Sequence, residues 1–457
     1  MLINCLLLSS LFFLFLCLEA DFELKYKNWD EKNIIESLRK TYLEVEASFG
    51  SNMDNFTLIL DTDSQATLIP GVEHQGTVKR FDKSQSSTFK EIKYIPNQYN
   101  NEKFYKGLLG ADNFKLGNSQ KINNISFIVG EGFTLEAFGT YAFLGLKREV
   151  NASENNYNII KQMKEKDVIS NPIWFLNFES DTKGKFIIGT FPENNYKDTY
   201  SEEDRLNLDI YEHWQLYVLK FEDIYYGKIE NYDKKQSVDP KHTISKFNIN
   251  TRLFLCTPDF GAILHDSFFK HKKGICEQGT LEDKYLYYYC KKDKFNMSEM
   301  ENVNFEVNNQ KGNMTLVFEP KDLFYEYGDY YYFLMIYKPD DYITPPDTEW
   351  VIPTLFIKKY ITTFNRNDRL IYFYSKTIDK NNNNNNGGDG EGGNDDKTKY
   401  IIIISVLSII FLGCIGFLIF YIIKIKPRKK KANELDDDFE YKTNQNEEGG
   451  DSALINE

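Results

Sequence analysis

Two lobes built mainly of β-strands, carried on one membrane-crossing helix, are the architecture this sequence predicts. Three features lead there. At 457 residues the chain exceeds one ordinary domain, so two lobes plus appendages are expected. Its best-defined elements are short apolar runs bounded by turn residues, which read as buried strands. Finally, Tyr400 to Ile423 is an uncharged apolar run, long enough to cross a bilayer of roughly 30 Å as a helix.

The sharpest of the short runs is Phe56 to Pro70, FTLILDTDSQATLIP. Phe56 to Leu60 is apolar except at Thr57, and it delivers Asp61 into a tight polar turn. A second apolar run, Thr67-Leu68-Ile69, ends at Pro70. A carboxylate between two apolar strands must be hydrogen-bonded to stay ionised, and Thr62 and Ser64 stand close enough in sequence to supply hydroxyls. Asp-Thr turns are common, so this stretch alone also fits a solvated turn aspartate.

The surrounding order narrows the choice. Tyr42 to Gly50 alternates like a strand, Arg80 to Lys90 reads RFDKSQSSTFK, and Tyr99 precedes Gly107-Leu108-Leu109-Gly110. This series resembles the N-terminal lobe of the pepsin-like aspartic peptidases. Asp61 matches their first catalytic aspartate, Tyr99 their flap tyrosine, and Asp63 stands where they have glycine. Ala142 to Leu146, Ile173 to Phe178, Gly184 to Thr190 and Trp214-Gln215-Leu216 continue the resemblance. So do Glu349 to Pro353, Phe356 to Tyr360 and Thr363 to Arg366. The resemblance spans Tyr42 to Ser375. It implies an all-β bilobal fold with a cleft between lobes, covering residues 42–204 and 205–376.

Residues 1–20 hold an apolar core from Leu6 to Leu18 and read as a secretory signal. Residues 21–41 form a short N-terminal segment. Its Lys25, Lys27, Lys32, Arg39 and Lys40 fit a solvated helix face or a short basic pro-segment. Residues 377–399 are dominated by Asn, Gly and Asp, a composition that predicts a disordered stalk. Residues 400–423 are the expected membrane helix, and 424–457 a cytosolic tail. Lys424, Lys426 and Arg428 to Lys431 follow the span at once, which sets a type I orientation. The ectodomain would then be extracellular or in the lumen of the secretory or endolysosomal pathway. Sequons begin at Asn55, Asn124, Asn151, Asn296 and Asn313.

A net charge of −13 argues against nucleic acid as a partner. No Cys/His cluster has metal-ligand spacing, and no cofactor is expected. Of the cysteines outside the two apolar end segments, Cys276 and Cys290 pair if the family's second-lobe disulfide is kept. Cys256 is then left over.

The second catalytic loop departs from the resemblance. In the favoured register, Leu253-Phe254-Leu255 leads to Cys256 as Leu58-Ile59-Leu60 leads to Asp61. Cys256 then replaces the second aspartate, Thr257 keeps the threonine that would brace against Thr62, and Pro258 replaces glycine. A rival register places Asp259-Phe260-Gly261 on the motif and keeps a carboxylate. Two aspartates of this class share one proton, and losing one costs on the order of 10⁴ in rate, about 5 to 6 kcal/mol. The favoured expectation is therefore a membrane-anchored ectodomain with little peptidase activity that binds a peptide or protein in its cleft. The alternatives are an active endopeptidase using Asp61 with Asp259, and a structural or adhesive ectodomain.

Overall fold

The alternation of apolar residues from Thr41 to Phe49 and the continuous apolar run that closes Asp54 to Asp61 are both patterns that a buried sheet requires. In the computed structural model both stretches are strands, antiparallel to each other, with Glu44 opposite Ile59 and Phe49 opposite Asp54. The described residues are 17–27, 29–73, 79–95, 104–133, 142–147, 158–202, 205–209, 218–228, 236–238, 243–309, 312–339 and 350–374. Tyr99, Asn151, Trp214 to Leu216, the stalk, the apolar run 400–423 and the tail lie outside them. Among the described residues no helix is long and apolar enough to cross a membrane.

Strands dominate, as the sequence predicts, and form sheets of thirteen, nine and four. The thirteen-stranded sheet holds the N-terminal half from Leu18–Tyr26 to Lys183–Ile188. It is joined by Arg205–Asp209, Ile361–Asn365 and Leu370–Tyr374 from the C-terminal half. Ile361–Asn365 pairs with Ile173–Phe178, so the two halves share backbone hydrogen bonds. Trp174 and Phe364 stack across that seam with ring centroids 4.1 Å apart. Before Ile173–Phe178 in the chain lies a helix, Ile159–Glu165, with Asn158 accepting from Lys161 N–H at 3.1 Å as its N-cap.

One strand goes beyond the sequence reading, which starts the sheet at Tyr42. Leu18–Tyr26 lies between Lys183–Ile188 and Thr41–Phe49, antiparallel to both, and turns Leu18, Ala20, Phe22 and Leu24 into the core. Leu18 to Ala20, assigned above to the end of the signal, pair with Ile188 to Phe186. The segment 21–41 thus supplies most of a strand and then a helix, Ile34–Arg39. Lys25 sits on the strand, and Arg39 with Lys40 bonds Glu36 and Glu282 from the helix end.

In the C-terminal half, Cys276–Leu281 and Tyr285–Lys291 form a hairpin in which Cys276 faces Cys290. A disulfide joins those two cysteines, and Cys256 is a free, buried thiol.

Candidate active site

Asp61 ends its strand fully buried. Asp63 N–H donates to its Oδ1 at 3.0 Å, and the Ser64 hydroxyl donates to its Oδ2. Thr62, expected as the second hydroxyl, points elsewhere. The strand lies parallel to Ala142–Gly145, with Leu58 opposite Ala142 and Asp61 opposite Gly145. Gly145 is required there, since a Cβ would meet Ala66 O at 2.4 Å. The returning strand Leu68–Pro70 runs antiparallel to Ala142–Gly145 at Phe143 and parallel to Ile122–Phe133.

The C-terminal half repeats this pattern at a constant offset. Ile244–Phe247 lies parallel to Trp350–Ile352, with Ser245 opposite Trp350 as Leu58 is opposite Ala142. Leu255 pairs antiparallel with Val351 as Leu68 does with Phe143. Phe254–Cys256 runs parallel to Met335–Tyr337, as Leu68–Pro70 does to Ile122–Phe133. Both comparisons give 187 positions (245 − 58 and 255 − 68). The residue that mirrors Asp61 is therefore Asn248.

The hydrogen bonds repeat as well. Asn250 N–H donates to Asn248 Oδ1 at 2.9 Å, the counterpart of the Asp63 to Asp61 bond. Thr354 N–H donates to Thr251 O at 3.0 Å, much as Lys147 N–H donates to Ser64 O at 2.9 Å. Thr62 Oγ1 donates to Phe247 O at 3.4 Å, so the two loops touch at the residue before Asn248.

Both registers read from the sequence are corrected by this geometry. Cys256 mirrors Ile69, not Asp61: it lies one strand later, and both side chains belong to the main core. Its Sγ lies 3.5 Å from Ile336 O. Burial pushes its pKa well above the ordinary thiol value, and the Asp259 charge adds to this. Asp259, the rival carboxylate, lies in the first turn of the helix Pro258–Ser267. Pro258 is the first residue of that helix, where its missing N–H costs nothing. Thr257 is the N-cap residue; its buried hydroxyl has no partner among the described residues, so it does not brace Thr62. The true counterpart of Thr62 is Ile249, which has no hydroxyl to return the bond. Asp63 still delivers its N–H to Asp61 without a positive φ, so it does not distort the loop as a glycine replacement would suggest.

Native alkylation at about pH 8 is expected to leave Cys256 unmodified while the unfolded chain reacts fully, because the thiolate is the reacting form. Rapid native labelling would contradict this placement.

Asn55, Asn124 and Asn296 are exposed, and Asn313 lies in the strand Gly312–Phe318. Among the described residues no cluster of His, Cys, Asp and Glu could hold a metal.

The profile of eukaryotic aspartyl proteases matches residues 42–375. The aspartic proteinase yapsin-3 of Saccharomyces cerevisiae is 28% identical over 198 residues, 38% of this chain and 38% of the yeast protein. The matched profile covers both strand–loop–strand units described above, and the chain belongs to the eukaryotic aspartyl protease family.

Proposed function

We propose that this protein is a membrane-anchored aspartyl-protease-fold ectodomain that binds a peptide or protein between its loops without cleaving it. The observation that carries the reading is Asn248 in the place that mirrors Asp61. A dyad works because one carboxylate activates water while its protonated partner polarises the scissile carbonyl. A carboxamide keeps the shape and accepts the same N–H, but it cannot share, give or take the proton. That loss is worth on the order of 10⁴ or more in rate.

Ile249 weakens the bracing between loops further, while Ser64 and Asp63 keep Asp61 hydrogen-bonded. This combination fits a retained fold with altered chemistry. The apolar run 400–423 and the basic residues after it support a type I anchor, with the ectodomain outside the cell or in a lumen. The active alternative requires Asp259 to act with Asp61.

A peptide library incubated with the purified full-length protein from about pH 3 to 7 tests the reading, since a coupled carboxylate pair gives a bell-shaped acid profile. The expected result is no cleavage above a buffer blank. Cleavage that Asp259→Asn abolishes would establish the endopeptidase instead.

A further inference from the structure

Arg252 lies in the turn between Ile244–Phe247 and Phe254–Cys256, four positions after Asn248. Its backbone N–H donates to Leu38 O at 3.0 Å, and the residue is only 8% exposed. A guanidinium carries five N–H donors and stays charged at any pH the fold meets. Here Nη1 donates to Tyr26 Oη at 2.8 Å, and the Tyr325 ring centroid lies 5.5 Å from the guanidinium carbon. Both partners are neutral. Among the described residues no carboxylate comes within ion-pairing distance of this arginine. Asp181 feels the Arg252 charge, but it is bonded to Lys358 and its side chain is exposed. Arg39 and Arg205 are less buried, yet each pairs with two glutamates.

A buried charge without a counter-ion lowers stability, so folded chains pair such groups or keep them for a ligand. The surroundings of Arg252 suit a ligand. Phe247, Phe254 and Cys256 belong to the main core, so strand alternation sets Asn248, Leu253 and Leu255 on the opposite face. Leu253 packs there with Leu334 and Ile336, and the partly exposed Tyr325, Tyr327 and Tyr332 border that cluster. Trp29 packs edge-on against Tyr327 with centroids 5.5 Å apart and is itself 38% exposed. The buried cation thus stands at the rim of an aromatic surface, beside the face that carries Asn248.

We propose that Arg252 anchors a carboxylate of the bound peptide, and that the rim of Tyr325, Tyr327 and Trp29 receives the apolar group beside that carboxylate. This deepens the peptide-binding reading above and rests on it. A guanidinium fork matches the two oxygens of a carboxylate, and the charge-assisted pair is stronger than a bond between neutral groups. An amide offers one oxygen and no charge, and a cationic group offers Arg252 no acceptor. The carboxylate comes either from an acidic side chain or from a free chain terminus.

The test is the melting temperature of the full-length protein with about 10 mM N-acetyltyrosine or N-acetyltyrosinamide, which differ only in the carboxylate. The acid is expected to raise it by about 2 °C or more, the amide to leave it unchanged, and Arg252→Gln to abolish the difference. Two short peptides then separate the sources, one blocked at both ends with an internal glutamate, the other with glutamine there and a free C-terminus. The peptide that carries the recognised carboxylate is expected to bind at least about tenfold more weakly to Arg252→Gln. Without ligand, Arg252→Met is expected to melt no lower than the native protein, because it removes an unpaired buried charge. A fall of several degrees in Arg252→Met would make this arginine structural and overturn the proposal. So would equal shifts from acid and amide, or an acid shift that survives in Arg252→Gln. Peptides that fail to bind where N-acetyltyrosine does would leave the carboxylate anchor standing and overturn the peptide reading instead.

Discussion

Asn248→Asp is expected to give the protein an acid-dependent peptidase activity well above that of the native chain. The substituted carboxylate would inherit the N–H of Asn250, as Asp61 receives that of Asp63. Two carboxylates about 3 Å apart cannot both ionise, so the pair would share one proton and divide the roles of base and acid. The expected gain is on the order of 10² to 10⁴ over the native protein, with a bell-shaped profile between about pH 3 and 6. Adding Ile249→Thr should raise it further by returning the missing bond between the loops. Cys256→Asp is expected to give no activity, because that side chain points into the core beside Ile336 O. It should instead destabilise the fold by several kcal/mol through an unpaired buried carboxyl. Turnover of a peptide library is the readout.

Trp174→Ala is expected to cost about 3 to 5 kcal/mol of stability. Trp174 is fully buried, stacks on Phe364 at 4.1 Å, and meets Phe186 edge-on at 6.0 Å. It sits where Ile173–Phe178 from the first half pairs with Ile361–Asn365 from the second. The cavity would open at the seam between the halves. Urea unfolding of native and substituted proteins gives the difference, and a coupling with Phe364→Ala of about 1 kcal/mol is expected from the ring pair. A loss below about 1 kcal/mol would show that the seam contributes little.

The first catalytic strand is legible because it is buried on both faces. Leu58, Ile59 and Leu60 are all inside, so it reads as a continuous apolar run ending in a carboxylate. Its counterpart is not. Lys246 takes the place of Ile59, leaving Ile-Ser-Lys-Phe, a weak alternation with no carboxylate at its end. The stronger apolar run, Leu253 to Cys256, is the returning strand, and aligning it with the wrong member of the first unit shifts the register by one strand. A usable signal is present all the same. Asp61 precedes Leu68-Ile69 by the same spacing as Asn248 precedes Leu255-Cys256, and Asp-Thr-Asp-Ser is echoed by Asn-Ile-Asn-Thr. The N-terminal strand was hidden for another reason. Leu18 and Ala20 lie at the end of an apolar N-terminal stretch, and hydropathy alone does not separate a signal from a buried strand. The disulfide came from the family resemblance, and the hairpin that sets Cys276 opposite Cys290 supplies its physical basis.

An experimental structure of the full-length protein, read at the carboxylate of Asp61, tests the central claim most directly. The account predicts the Asn248 carboxamide as the facing side chain, at about the 3 Å spacing of a dyad. It also predicts the Cys256 thiol turned into the core and Asp259 on its helix. A Cys256 or Asp259 side chain facing Asp61, with Asn248 turned away, would contradict it.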